Sequence, residues 1–284
     1  MTPGRRGRAL AMAGCALAVI AVLYLVFVRT GWGQRLDDLA MEGRKATHLG
    51  VRRAATRAMS LATRVALPCA GVALAVVAVR TRRWRAALGA AAALLLAVLL
   101  SRLLKAELPR DDLLERSNVG PENTFPSGHS AAAMALALLA VWLCSAEQRR
   151  RMQVVASVAV VLHTLALLGS GWHRPSDVLA GFAVAVVVVA LALTLEAPTS
   201  DGPPPHAGHR QLDRGQLLSG TAAVMVVSTL GLLVVRGTPN PAHSFAAYLV
   251  SVLVAVVAAV LVVHVVTATV APGARVAPDA RQLT

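Results

Sequence analysis

One stretch of sequence decides the fold: residues 178–195 read VLAGFAVAVVVVALALTL and contain no charged side chain. A helix needs roughly 20 mostly apolar residues to cross a hydrocarbon core about 30 Å thick. Polar residues do not alternate along the stretch with a period of two, so a strand of a membrane barrel is not indicated. The stretch is therefore typical of a helix that spans a lipid bilayer.

Seven further apolar runs have the same Ala, Val and Leu character. They are residues 9–28, 58–79, 86–104, 130–145, 152–172, 217–235 and 245–270. Only 15% of the 284 residues are charged, compared with about 25% in a soluble domain. The sequence predicts an all-α fold, a polytopic membrane helix bundle with eight spans.

The chain divides at a segment rich in proline and glycine, residues 197–216, which contains Pro203, Pro204 and Pro205. Its composition is typical of a linker. We expect a six-span membrane domain at 1–196, a cytoplasmic linker at 197–216, and two additional spans with a short tail at 217–284.

Basic side chains predict the orientation. The arginine clusters at 80–85 and 149–151 lie in short loops, and such loops are cytoplasmic in most membrane proteins. Residues 105–129 and 172–177 are then expected outside a plasma membrane. The segment 29–57, with seven basic and three acidic side chains, must also lie outside, where we expect an amphipathic helix on the anionic headgroups.

Other classes of protein are not favoured by the composition. The net charge is +14, but the arginines cluster at the ends of apolar runs, so nucleic acid is not an expected partner. Cys15, Cys69 and Cys144 each fall within a predicted span, which indicates neither a disulfide framework nor a metal site. The sequence leaves the oligomeric state open.

Candidate catalytic residues lie in two segments, between the third and fourth spans and between the fifth and sixth spans. Lys105 ends the third span and Arg110 follows five residues later, and the motif from Pro126 to His129, Pro-Ser-Gly-His, opens the fourth span. Proline suits a first helical turn, and Ser-Gly lets backbone N–H groups approach an anion. His173 and Asp177 open the sixth span on the same predicted side of the membrane. This arrangement indicates a phosphate site.

In combination, these motifs resemble the type 2 phosphatidic acid phosphatase superfamily, with similarity over roughly residues 9–196. The resemblance implies a six-helix core, His173 as the nucleophile that becomes phosphorylated, Asp177 holding its ring, and His129 as the general acid. It also implies that no metal or cofactor takes part, that a lipid phosphate is the substrate, and that membrane lipids surround the protein. The phosphoryl oxygens would be bound by Lys105, Arg110, Ser127 and Gly128.

The chain departs from the family pattern at two places. Lys105 and Arg110 are separated by four residues where the family has six, and Leu167 stands where the family has an arginine. Arg174 and Arg116 are candidates to replace that arginine. The departure keeps open a weak or inactive lipid-phosphate binder or transporter, and it disfavours a vanadate-dependent oxidase. The natural lipid, whether phosphatidic acid, a polyprenyl phosphate or diphosphate, or a phosphorylated glycolipid, is not determined by the sequence.

Overall fold

A computed structural model describes residues 5–80, 84–114, 123–145, 147–195 and 241–270. These residues are helical or lie in connections between helices, and none of them forms a strand. The predicted all-α bundle is confirmed. The linker 197–216 and the apolar run 217–235 lie outside the described residues.

The described residues form nine α-helices, named here in chain order. They are α1 (Arg5–Leu23), α2 (Gly31–Gly43), α3 (Leu49–Leu61), α4 (Leu67–Arg80), α5 (Trp84–Glu107), α6 (Gly128–Leu143), α7 (Arg149–Ser170), α8 (Pro175–Leu195) and α9 (Pro241–Val270). Two π-helical segments adjoin these helices: Tyr24–Val28 follows α1, and Ala62–Ala66 lies between α3 and α4. The predicted span 58–79 is thus divided among α3, a π-helical segment and α4.

Five described helices are long and apolar enough to cross a membrane. They cover Arg6–Val28, Ala86–Glu107, Arg149–Ser170, Pro175–Leu195 and Ala242–Ala268, and a shorter apolar helix covers Gly128–Leu143. The chain is therefore a multi-pass membrane protein.

Helix α8 lies at the centre of the bundle. It packs most extensively against α1 and α6, with further contacts to α5 and α9. Its residues are buried on every side from Val178 to Ala190 apart from Leu179, which explains why its sequence has no polar face. The start of α8 is consequently held in place by several neighbouring helices.

Helix α9 packs on the helices of the first 196 residues. It runs along α2 and α7, and its start approaches α2 so closely that a Cβ at Gly43 would collide with the Ser244 carbonyl. Near its other end, Gln153 donates a hydrogen bond of 2.6 Å to Thr267. The last helix is therefore part of the same bundle, and the division of the chain at 197–216 stays a prediction.

The basic segment 29–57 differs from the single interfacial helix expected from the sequence. It forms α2 and α3, because the chain turns at a 3₁₀ segment, Arg44–Ala46, and His48 then caps α3 through Nδ1. Helix α2 also buries polar side chains: Gln34 donates to the backbone oxygens of Val28 and Asp111 at 2.8 and 2.7 Å. A helix lying on headgroups would keep such groups in water, whereas α2 ties the loop after α5 to the bundle.

Candidate active site

Four chain segments bring the predicted catalytic residues to one end of the bundle. Lys105 lies near the end of α5, His129 in the first turn of α6, His173 between α7 and α8, and Asp177 in the first turn of α8. The start of α6 is fixed to the start of α8, because the Ser127 N–H donates to the Asp177 carbonyl at 2.9 Å. The convergence expected from the sequence is present in the structure.

The turn before α6 is built by residues of the Pro-Ser-Gly-His motif. The Phe125–Pro126 peptide bond is cis, and the Ser127 hydroxyl caps α6 by accepting from the Ser130 N–H at 3.2 Å. Helix α8 approaches this turn at Gly181, where a Cβ would lie 2.5 Å from the Ser127 carbonyl oxygen. Ser127 thus acts as a helix cap, and its predicted contact with phosphate stays a prediction.

The two histidines face each other. His129 Nδ1 and His173 Nε2 are 3.4 Å apart, although the residues are separated by 44 positions in the chain. The His129 ring also packs on Trp172, with ring centroids 5.5 Å apart. His173 is 6% exposed, so its ring is almost completely enclosed by the protein.

Asp177 lies behind the ring of His173. Its Oδ2 is 3.6 Å from His173 Nδ1, and the same oxygen accepts from Thr124 Oγ1 at 2.6 Å and from the Arg174 N–H at 2.8 Å. The carboxylate is fully buried. These contacts fix Asp177 on the Nδ1 side of His173, which leaves Nε2 directed at His129.

A second buried carboxylate, Asp37 from α2, adjoins this group. Asp37 accepts from the Ser176 N–H at 3.2 Å and from the Ser176 hydroxyl at 2.5 Å, so it satisfies a backbone donor at the start of α8. Arg110 lies between the two carboxylates, with Nη2 3.6 Å from Asp37 Oδ2 and Nη1 3.9 Å from Asp177 Oδ1. The structure therefore surrounds Arg110 with carboxylates, and its predicted phosphate contact stays a prediction.

Sequence reasoning missed Asp37 and Thr124. The sequence carried only a weak signal for Asp37, the three-residue spacing of Gln34, Asp37 and Ala40 on one face of α2, and their burial is visible only in the structure. Spacings of three residues place side chains on one face of a helix. Thr124 precedes the recognisable motif, and nothing in its neighbourhood distinguishes it.

Two more predicted phosphate ligands lie beside the site. Arg174 Nε is 3.5 Å from Asp38 Oδ1, and its Nη1 donates to Thr124 Oγ1 at 3.2 Å. Lys105 is close enough to interact electrostatically with Asp177 and with His129.

The position of the missing family arginine is apolar. Leu167 is fully buried in α7. Its uncharged side chain cannot take the place of an arginine that binds phosphate. Arg116, the other candidate replacement, lies outside the described residues. Within the part of the chain that the structure describes, no three His, Cys, Asp or Glu side chains are grouped as a metal site. The absence of a metal requirement stays a prediction.

The electrostatics of Asp37 lead to a prediction about stability. Burial, and then the neighbouring Asp177 carboxylate, raise the pKa of Asp37 to about 7, although Ser176 and Arg110 act in the opposite direction. A raised pKa means that the folded protein holds this proton more tightly than the unfolded chain does. That contribution to stability is complete below about pH 4 and is lost as the pH rises through about 7.

We therefore expect the melting temperature of Asp37→Asn, relative to the wild type, to increase as the pH is raised from about 4 to about 8. Asparagine remains neutral throughout, whereas the wild type must ionise a buried group. Thermal unfolding of both proteins in the same detergent across this range provides the measurement. A difference that is constant with pH would contradict the assignment.

Comparison with known proteins gave a match to one family model. Residues 82–199 match the family model of the PAP2 superfamily. The matched segment includes α5 to α8 and carries His129, His173 and Asp177. No curated protein and no solved structure matches the chain.

Fold and site together define a multi-pass membrane protein with a histidine-pair centre at one end of its bundle. The match to the PAP2 superfamily model over residues 82–199 is consistent with a type 2 phosphatidic acid phosphatase superfamily member. This match suggests phosphatase-type activity on phosphate esters. Asp37 and α9, which pack against the matched helices, lie outside the matched segment.

Proposed function

We propose that this protein is a lipid phosphate phosphatase, which hydrolyses a phosphate monoester or diphosphate of a membrane lipid through a phosphohistidine. The observation that carries the proposal is the contact of 3.4 Å between His129 and His173, with Asp177 on the opposite side of the His173 ring. A nucleophile, a proton donor and an orienting carboxylate are the groups that this reaction requires.

In the first step, His173 Nε2 attacks phosphorus, and the bond from phosphorus to the lipid oxygen breaks. Asp177 stabilises the proton on Nδ1, so that the lone pair of Nε2 remains available. His129 gives its proton to the leaving oxygen, and the lipid departs as an alcohol or, from a diphosphate, as a monophosphate. In the second step His129 accepts a proton from water, which attacks the phosphohistidine and releases inorganic phosphate.

Positive charge and oriented N–H groups would stabilise the phosphoryl group during both steps. The start of α6 would supply the Gly128 N–H, since the nearby Ser127 and Ser130 N–H groups already donate to the Asp177 carbonyl and the Ser127 hydroxyl. Lys105 adds a charge beside His129. Arg174, which adjoins the nucleophile, is our candidate for the clamp that Leu167 does not provide.

A second function is supported by one observation: in the described residues, Arg110 and Arg174 both lie against carboxylates. A protein with the phosphate cradle but too little free positive charge would bind or transport a lipid phosphate without hydrolysing it efficiently. Tight binding of a lipid phosphate with no release of phosphate would favour this alternative.

We infer that the site faces the extracytoplasmic side of a plasma membrane. The support is the arginine cluster Arg149–Arg151 at the start of α7, because His173 follows the end of the same helix. Short arginine-rich loops remain cytoplasmic in most membrane proteins, which places the other end of α7 outside.

The proposed function predicts metal-independent hydrolysis. Purified protein in detergent should release phosphate from a short-chain phosphatidic acid, because the charge stabilisers are side chains and backbone N–H groups. Activity should persist in a metal chelator. It should fall with vanadate, because vanadate adopts the five-coordinate geometry of a phosphoryl group that is being attacked by a nucleophile. Complete loss in chelator, restored by magnesium, would contradict the mechanism. A panel of other lipid phosphates would then rank the substrates.

A further inference from the structure

An apolar groove of about 600 Å³ lies among α3, α4, α6 and α7. Its size falls within the range of about 300–1,000 Å³ that is usual for ligand sites. Small apolar side chains form most of its wall, and its most polar lining residue is His163. Other lining residues are Met59, Ala137, Ala140 and Met152.

One end of the groove comes close to the active site. The His163 ring, at one end of the groove, lies beside the backbone carbonyl of His129. On α6, the groove is lined by Ala133, Ala137 and Ala140, which follow His129 at spacings of four, four and three residues. Residues at these spacings share one helix face. The face of α6 that carries His129 therefore continues as a wall of the groove.

The groove extends far along the bundle. On α7 its lining residues run from Ala166, near the active-site end, to Met152, near the opposite end. The fourteen steps along the helix from Met152 to Ala166 correspond to about 20 Å at 1.5 Å per residue. A hydrocarbon core is about 30 Å thick. The groove thus passes from the level of the histidines through more than half of the membrane.

We propose that this groove binds the hydrocarbon chain of the substrate, an inference that rests on the proposed function. The general acid must contact the leaving oxygen, so the leaving group lies on the His129 side of the phosphate. A lipid chain attached to that oxygen meets the groove directly below His129. The walls are apolar, as an alkyl or prenyl chain requires.

His163 is placed to form a hydrogen bond with the polar end of such a lipid chain. Its Nε2 is buried and makes no hydrogen bond within the part of the chain that the structure describes. A hydroxyl, ester or phosphate-ester oxygen near the start of the lipid chain would provide a partner. Below His163, the described lining is apolar as far as Cys144 and Met152.

A series of alkyl phosphates from butyl to dodecyl, kept monomeric, tests the inference. We expect kcat/KM to rise by about 4-fold for each added methylene, equivalent to about 0.8 kcal/mol per buried methylene, until the groove is filled. Hydrolysis that does not depend on chain length would overturn the inference, while the hydrolysis itself would still support the proposed function.

Substitutions at different depths provide the matched comparison. Ala140→Leu fills the deep part of the groove, so kcat/KM should stop rising at a shorter chain than in the wild type. Ala133→Leu lies nearer His129, so in this variant kcat/KM should stop rising at an even shorter chain than in Ala140→Leu. Ala91→Leu adds the same side chain on the exposed surface of α5 and should leave the whole series unchanged. Equal behaviour of all three variants would overturn the inference.

Photolabelling gives a measurement that does not depend on turnover. A long-chain alkyl phosphate with a diazirine at the chain end should label Leu143, Cys144 or Met152, and unlabelled alkyl phosphate should compete while the corresponding alcohol should not. Labelling mainly of outward residues such as Val158, or equal competition by the alcohol, would overturn the inference. Specific labelling without hydrolysis would support binding of the hydrocarbon chain in the groove and would refute the phosphatase proposal.

Discussion

Replacing His173 by alanine should lower the hydrolysis of a lipid phosphate by about 10⁴-fold or more, the effect expected when the nucleophile of a covalent mechanism is removed. Among the described residues, His173 Nε2 is the nitrogen that faces His129 with a carboxylate behind its ring. No phosphohistidine can form at this position in the variant, so neither step of the proposed reaction can proceed.

The covalent intermediate makes this prediction specific. Wild-type protein that is quenched during turnover of a ³²P-labelled substrate should carry a label that is stable in base and labile in acid, as phosphohistidine is. His173→Ala should carry none. His264→Ala, which removes an exposed histidine on α9, should retain both activity and label. Undiminished hydrolysis in His173→Ala would place the reaction elsewhere.

The part of the site that could be predicted from the sequence is the part that depends on local geometry. His173 and Asp177 are four residues apart at the start of a helix, and Pro-Ser-Gly-His marks the start of another. Such spacings fix which side chains share a helix end. The two helix starts were expected on one side of the membrane because the spans alternate in direction. The structure brings His129, His173 and Asp177 together as that reasoning requires.

The residues that could not be predicted are those whose contacts depend on the packing of distant helices. Asp37 and Ser176 are 139 positions apart, and the close approach of α9 to α2 joins segments even farther apart. Helices that are rich in Ala, Val and Leu on every face carry little information about which neighbours they pack against. Composition therefore predicts the bundle, whereas the buried carboxylate beside Arg110 requires the three-dimensional arrangement.

The environment of Arg110 differs from what its position in the sequence suggested. Its position after the third span suggested a phosphate ligand, but the structure places its guanidinium between Asp37 and Asp177. A buried cation that pairs with two carboxylates also stabilises them. Arg110 could not be assigned to this position from the sequence, because one of its two partners comes from α2, outside the recognised motifs.

The effect of His129→Ala should depend on the leaving group. For an alkyl phosphate, whose leaving oxygen is strongly basic, we expect a loss of about 10²- to 10⁴-fold, since a general acid supplies acceleration of that order. For p-nitrophenyl phosphate, whose leaving group departs without a proton, the first step should be affected much less.

The same variant should slow the second step, because His129 is also the group that activates water against the phosphohistidine. With p-nitrophenyl phosphate, His129→Ala should therefore release a rapid burst of nitrophenolate and then turn over slowly, with His173 largely phosphorylated. The wild type should carry phosphate on a smaller fraction of His173 than the variant does. Rapid-quench measurements on protein with an unchanged elution profile would separate the two steps. An equal loss of rate for both substrates, without a burst, would mean that His129 binds or positions the phosphate and transfers no proton.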